Sequence, residues 1–344
     1  MRQTVIAIIG GGQAGLALAY HLRRARLPFV VLDAHPRVGD AWRRRWDSLA
    51  LFTPNRFNAL PGLPFPGDPD GHPTKDQVAD YLEDYAARFD LPVHLDSPVT
   101  AVRPAPAGGF VVETPRRSYA AEQVVVAAGA FHTPKVPGFA DRLSPSVVQL
   151  HSMRYRNPSQ IPEGRVVVVG GGNTGVQIAA ELAAHGRQVA LSVAELGPVL
   201  PQRWLGRDIF WWFDRLGTMR LSPRSPLGRR LQRSNPIIGT DVRRLLRTVE
   251  RLGRTTGADG RHLVLEDGAT RPVDAVVWAT GFRTSHPWLE VPDATDRPGL
   301  HFLGLPWQRT RGSAVLGWVG RDAAVLAERI KAGASSRIVA PAGR

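Results

Sequence analysis

Apolar positions along the chain fall into two spacings. Short β-branched runs ("VIAII" from Val5, "FVVLD" from Phe29, "RVVVV" from Arg165, "QVALSV" from Gln188) are continuous, as strands buried on both faces require. Between the members of each pair the apolar residues return at helical spacing instead. Leu18, Ala19 and Leu22 mark one face in the first interval, and Ile178, Ala179 and Leu182 in the second. The chain therefore predicts strand, helix and strand twice over. Two further segments repeat: "EQVVVAAGAF" over 122–131 and "DAVVWATGF" over 274–282, each an acid, an apolar strand and a small-residue turn. Ahead of each lies a turn-rich stretch, "PAGGFVVETPRRSYA" and "GADGRHLVLEDGATRPV", which reads as a β-hairpin.

Glycines punctuate the two strand–helix junctions in register. Gly10, Gly12 and Gly15 fall on Gly170, Gly172 and Gly175, a shift of 160 residues without a gap. The first glycine of such a trio permits the tight turn. The second admits a pyrophosphate to the backbone, and the third lets helix pack closely on strand. Phosphates then rest on the free N–H groups of the helix start. The expected fold is α/β, with two Rossmann-like dinucleotide-binding domains. Asp33 closes the first unit's second strand 21 residues beyond Gly12 and suits a carboxylate that accepts hydrogen bonds from ribose hydroxyls. Its counterpart in the second unit is Val193, with Glu195 two residues on. The two sites are expected to hold different ligands, or to hold them differently.

Composition narrows the chemistry. The 344 residues suffice for two domains, and 43% hydrophobic with 22% charged is globular composition. A formal charge of +14 invites a nucleic-acid reading, but the cations are almost all scattered arginines, with lysine only at Lys75, Lys135 and Lys331. The charge reads first as arginine-rich composition, and next as attraction of an anionic cofactor or substrate. The absence of cysteine excludes disulfides, thiolate metal sites and a cysteine nucleophile, and is compatible with a cytoplasmic location. The ten histidines form no HxH or HxxxH pair, so no metal is expected. The consecutive glycines from Gly10 to Gly12 argue against an export signal at the N-terminus, and no apolar run is long enough for a membrane span.

The two cradles together resemble the flavoproteins with two dinucleotide-binding domains, with FAD in the first and a nicotinamide cofactor in the second. That resemblance implies a discontinuous FAD domain: residues 1–157, then the NAD(P)H domain 158–283, then a return to the FAD domain over 284–344. It implies FAD contacts from Gly10, Gly12, Gln13, Ala14, Gly15, Asp33, Ala34, Val99, Ala128 and Gly129, with Gly320 and Asp322 in "GWVGRDAAVLAERI" at the start of a final helix. For the nicotinamide cofactor it implies Gly170, Gly172, Asn173, Thr174, Gly175, Ala279, Thr280 and Gly281. Thioredoxin reductases share this layout but need a redox CxxC, which this chain lacks.

The stretch "GDAWRRRWDSLALFTPNRFNALPGLPFP" resembles the flavin-containing monooxygenases, particularly the plant auxin-forming type and its bacterial relatives. Gly39, Trp42 and Arg43 resemble that family's GxW–Arg element, with one residue more between Gly39 and Trp42, implying a tryptophan near the flavin and an arginine on phosphate or nicotinamide. The family fingerprint survives here only as His151 and Tyr155 in "LHSMRY", and Thr53 is followed by Pro54 where animal-type members carry asparagine. No catalytic side chain is assigned; Asn173, His151 and Thr53 are the candidates. The resemblance favours NADPH, with NADH as the alternative. Glu195 would favour NADH through ribose hydroxyls, whereas Arg203 or Arg207 would supply a contact to the 2′-phosphate.

The function implied is NAD(P)H-driven transfer of one oxygen of dioxygen to a small organic substrate bearing nitrogen, sulfur or a carbonyl. The alternative is an NAD(P)H-dependent reductase passing electrons to ferredoxin, quinone or another carrier. A homodimer is compatible with either. Residues 200–246, with Trp204, Phe210, Trp211 and Phe213 grouped, leave the nucleotide-domain pattern and read as a cover for the site or a partner surface.

Overall fold

The computed structural model describes residues 2–233, 236–239 and 241–338, so three positions of the 200–246 segment and residues 339–344 of the C-terminal part lie outside the described residues. Two parallel-based sheets carry the molecule. In the first, Arg2–Ile9 lies at the centre, parallel to Phe29–Leu32 on one side and Ser118–Val126 on the other, with Ile9 opposite both Leu32 and Val126. Val93–His94 extends one edge in parallel. On the other side Phe110–Glu113 pairs antiparallel with Ser118–Val126, the hairpin expected over 106–120, and Ala101–Pro104 adds a further antiparallel strand at its edge. Leu300–Phe302 then pairs in parallel with Val124–Val126, so the chain's C-terminal part returns to this sheet.

Alternation explains why the central strand is apolar from Ile6 to Ile9. Ile6 and Ile8 point into a cluster with Leu16, Leu22, Leu82, Tyr85, Val319 and Ile330, which belong to the helices Gln13–Arg24, Lys75–Arg88 and Leu316–Ile338. Ala7 and Ile9 point the other way, to Phe110, Tyr119 and Leu300. Helix Lys75–Arg88 is set by a capping box. Thr74 Oγ1 accepts from the Gln77 N–H (3.3 Å), and Gln77 Oε1 accepts from the Thr74 N–H (2.9 Å).

The second sheet is parallel throughout, in the order Glu250–Leu252, Gln188–Ser192, Arg165–Val169, Ala275–Trp278, Val148–His151. The second predicted hairpin forms beside it from Thr255–Asp259, His262–Leu265 and Thr270–Pro272. Val148–His151 precedes residue 157 in the chain yet pairs here, with Trp278 opposite His151. Two segments cross between the sheets, and they run side by side. Phe282 pairs with Pro134 and Arg283 with Thr133. The Lys135 N–H donates to the Gly281 carbonyl (3.0 Å), and the Thr280 hydroxyl to the Lys135 carbonyl.

Candidate functional site

The two glycine cradles are the same object built twice. Gly10 (φ 110°) and Gly170 (φ 125°) occupy the left-handed region, where a side chain would strain the backbone. A Cβ on either would also strike the carbonyl of the next strand's end, Ala127 O at 2.5 Å and Ala279 O at 2.3 Å. Gly15 and Gly175 sit on the first turn of their helices so closely that a Cβ would lie 1.9 and 2.0 Å from the carbonyl oxygens of Gly10 and Gly170. Gly12 and Gly172 differ from these. Each caps a helix with ordinary extended dihedrals and faces open space, with nothing within 4 Å of a Cβ. That space lies over the free N–H groups of the helix start, where phosphate fits. Both cradles thus have the shape a dinucleotide pyrophosphate needs.

At the first cradle Asp33 is buried, and its carboxylate is engaged by its own chain. Oδ2 accepts from the Gly11 N–H (2.7 Å), and Oδ1 from the His35 N–H and lies 2.8 Å from His35 Nδ1. Burial pushes its pKa up, but hydrogen bonds from the His35 side chain and backbone and from Gly11 outweigh this and hold it below the usual carboxylate value. Ala34 beside it is exposed, Val99 packs on the cluster of Phe110 and Val291, Ala128 lies against Gly10, and Gly129 after it faces open space.

A wall from the far end of the sequence completes this cradle. Gln13 Nε2 donates to the Ala314 carbonyl (2.8 Å), and the left-handed Gly304 comes so near Ala14 that a Cβ would lie 2.6 Å from the alanine methyl. Ser313, fully buried, donates to Asp322 Oδ2 (2.6 Å). The loop before the last helix ends at residue 315, ahead of the "GWVGRD" stretch. The helix already starts at Leu316, so Gly320 and Asp322 lie within it. Gly320 serves close packing, with a Cβ position 2.6 Å from Pro61 Cγ, and Asp322 is a buried acceptor tied to Ser313.

Other sequence expectations are corrected by tertiary contacts. Arg43 does not point at a cradle. Its guanidinium donates to Val38 O (2.6 Å), Asp80 (2.8 Å) and Glu83 (2.9 Å), because helix Lys75–Arg88 presents two carboxylates one turn apart. Gly39 (φ 88°) lets the loop touch that same helix at Ala79, and Trp42 packs on the core beneath. Thr53, buried, is closed on itself through Asn58: Thr53 Oγ1 donates to Asn58 Oδ1 (2.6 Å) and Asn58 Nδ2 to Thr53 O (2.8 Å). His151 accepts at Nδ1 from the Met153 N–H (3.1 Å), which leaves Nε2–H to donate to Gly281 O (3.0 Å). Burial holds it below the usual histidine pKa, so it is a neutral clasp between the second sheet and a crossing segment.

At the second cradle both polar atoms of Asn173 are taken by the 200–246 segment. Oδ1 accepts from the Ile238 N–H (2.9 Å) and Nδ2 donates to Pro236 O (3.1 Å). Asn173 therefore positions that segment over the cradle, with Thr174 half-buried beside it. The segment's aromatics divide. Phe210 and Phe213 are buried with Ile209, Met219, Ile238 and Trp318, against Phe52 and Phe57. Trp204 stays half exposed at a small hairpin. Arg203 bonds to Gly206 O at that hairpin's tip (3.2 Å) and lines a cavity of about 90 Å³ with Arg56, His72 and Trp211. It is not the arginine beside the end of Gln188–Ser192. That is Arg251, on the neighbouring strand, whose guanidinium donates to Ala194 O (3.3 Å) next to the exposed Glu195. Sequence spacing gave no sign of Arg251, because strand Glu250–Leu252 reaches this place only through sheet order.

Among the described residues no group of three or more histidines or carboxylates could hold a metal ion, and no helix is long and apolar enough to cross a membrane. Residues 7–198 match the family model for pyridine nucleotide-disulphide oxidoreductases. Over 337 residues the chain is 43% identical to the CzcO-like oxidoreductase of Geobacillus kaustophilus, an alignment covering 93% of this chain and 96% of that one. It is 29% identical over 357 residues to the indole-3-pyruvate monooxygenase YUCCA1 of Oryza sativa subsp. japonica (91% and 86% covered). Among solved structures, the flavin-containing monooxygenase of Stenotrophomonas maltophilia superposes with a TM-score of 0.80 at 26% identity, covering 97% of this chain and all of that one. By the family match and its near-full-length likeness to a CzcO-like oxidoreductase, the chain belongs to the pyridine nucleotide-disulphide oxidoreductase family.

Proposed function

We propose that this protein is an FAD-dependent monooxygenase that takes its electrons from NADPH and acts on a small organic substrate. The observation that carries the reading is the pair of glycine cradles, one on each sheet, joined by two crossing segments that pair with each other. The flavin monooxygenase of similar fold and the plant indole-3-pyruvate monooxygenases support it, and the latter favour a carbonyl-bearing substrate. A dithiol reductase is excluded, since the chain has no cysteine.

In this reading FAD lies on Gly10, Gly12 and Gly15, with its adenosine end by Asp33, Ala34, Val99 and Ala128. Its far end meets the wall of Gly304, Ala314 and Asp322. NADPH lies on Gly170, Gly172, Thr174 and Gly175, with Arg251 at its 2′-phosphate. The FAD domain comprises residues 1–157 and 284–344 and the NADPH domain 158–283, with strand Val148–His151 exchanged into the second sheet. A homodimer and a cytoplasmic location belong to the same reading.

Bound FAD supplies the hydride acceptor and the activation of dioxygen. The chain's own groups do the rest. The two cradles would hold the two nucleotides by their phosphates, one on each of the sheets that the crossing segments join. Phe52 and Phe57 of loop 52–58 pack against Phe210, Phe213 and Trp318, an apolar cluster that would keep water from that side of the site. Asp33 holds the Gly11 turn open to pyrophosphate. No side chain has to act as nucleophile.

The test uses purified protein loaded with FAD, NADPH and labelled dioxygen against a panel of amines, sulfides and 2-oxo acids. One labelled oxygen in a product, with NADPH and dioxygen consumed in proportion, is the expected result. NADPH-driven reduction of quinone or ferredoxin with no labelled product would replace this reading with an electron-carrier reductase.

A further inference from the structure

Among the described residues Arg45 is a guanidinium without an anion. The three arginines of the run 43–45 meet different fates. Arg43 binds Asp80 and Glu83, and Arg44 lies 4.0 Å from Asp40. Arg45 is partly buried and has neither a carboxylate within 4 Å nor a hydrogen-bond acceptor for its side chain among the described residues. What faces it is the ring of Phe131, 5.8 Å from the guanidinium carbon to the centroid. A second cation is close by: Arg156 donates from Nη1 to the Arg45 carbonyl (3.1 Å). Asp47, two residues on, is taken by Asn157 Nδ2 (2.7 Å) and forms no ion pair with either arginine. Burial pulls Arg45 below the usual guanidinium range, and the Arg156 charge adds to it.

Two cations held together in a partly buried place, with no counter-charge, destabilise a fold that has no other use for them. Their position supplies the use. Trp46 roots the next residue in the core under the second sheet. Phe131 stands on the first crossing segment, 52% exposed and edge-on to Phe282 of the second crossing (centroids 5.3 Å apart). The guanidinium and an open aromatic ring therefore lie together where the two sheets are joined. A planar guanidinium fork matches two oxygens of a carboxylate or a phosphate.

We propose that Arg45 and Arg156, walled by Phe131, bind an anionic oxygen group, a carboxylate or a phosphate, on a ligand seated at the crossing segments. The two sources are the substrate's carboxylate and a phosphate of the nicotinamide cofactor. Only the naming of these sources rests on the proposed function.

The experiment titrates FAD-loaded wild type, Arg45→Gln, Arg45→Lys and Arg156→Gln with NADP+ and, separately, with benzoate as the carboxylate probe. Binding is read by calorimetry, and the thermal midpoint without either ligand is recorded. Arg45→Gln is expected to weaken at least one ligand tenfold or more, with Arg45→Lys recovering part of the loss. The unliganded midpoint stays level or rises, because an uncompensated cation has been removed. A loss confined to NADP+ assigns the phosphate, and one confined to benzoate the carboxylate; Arg156→Gln moves the same ligand. Affinities for both ligands within twofold of wild type in Arg45→Gln and Arg156→Gln would overturn the proposal. So would a wild type that binds neither, or a lowered midpoint with unchanged affinity. Failure of NADPH to reduce the wild-type flavin would sink the functional reading alone, since the benzoate titration still decides the role of Arg45.

Discussion

The two cradles share their backbone and part company at one contact. In the first, the Gly11 N–H meets the Asp33 carboxylate at 2.7 Å. In the second, the equivalent Gly171 is packed by a methyl, and a Cβ there would lie 2.4 Å from Val193 Cγ2. One turn is thus pinned by a buried charge and the other by a van der Waals contact. The pinned cradle is walled by the returning C-terminal segment and suits a cofactor that stays. The other is covered by a segment held through Asn173 and suits a cofactor that comes and goes.

The largest effect expected separates the cradles outright. Gly12→Asp and Gly172→Asp place a carboxylate in open space at a helix N-cap, where aspartate is a favoured residue, so the fold keeps its thermal midpoint. The charge occupies the phosphate position. Gly12→Asp is expected to weaken FAD by a hundredfold or more, about 2.8 kcal/mol. Gly172→Asp should keep FAD and lose NADPH by a similar factor, both read by equilibrium titration.

Next comes Asp33→Val, which copies the second cradle's residue into the first. It strands the Gly11 and His35 donors and should cost about 2–3 kcal/mol in denaturant unfolding, with FAD affinity falling in step. The sign with pH follows from a lowered folded-state pKa. The contribution of Asp33 is complete above its ordinary value of 3.8 and fades as pH drops through the lower folded value, so wild type and variant converge in acid.

A smaller effect sharpens the second site. Arg251→Ala should raise the Kd for NADPH about tenfold, about 1.4 kcal/mol, and leave NADH within twofold, because only the former carries a 2′-phosphate. Smallest is Arg43→Ala. Its partners are half exposed, so it should cost about 1 kcal/mol of stability and leave FAD affinity unchanged, contrary to what its GxW–Arg resemblance implies.

What the chain revealed in advance was whatever has a period or a register. The two glycine trios, the strands around them, both hairpins and the paired turns at 127–131 and 279–282 are local patterns, and they lie where the spacing puts them. What stayed hidden depends on which strands become neighbours. Arg251 reaches Ala194 only through sheet order, and Val148–His151 joins the second sheet although it precedes residue 157. Arg43 is claimed by a helix more than 30 residues away. Asn173 reads as a helix-start residue facing a ligand, but it binds Pro236 and Ile238, and no spacing foretells that contact.

The most direct measurement is an anaerobic titration of FAD-loaded protein with NADPH, following the flavin's visible absorbance in wild type and in Gly172→Asp. Two cradles working in one chain predict saturable bleaching in wild type and none in Gly172→Asp at the same NADPH concentrations, with FAD still bound. Bleaching that persists unchanged in Gly172→Asp, or wild-type flavin that NADPH never bleaches, would contradict the account.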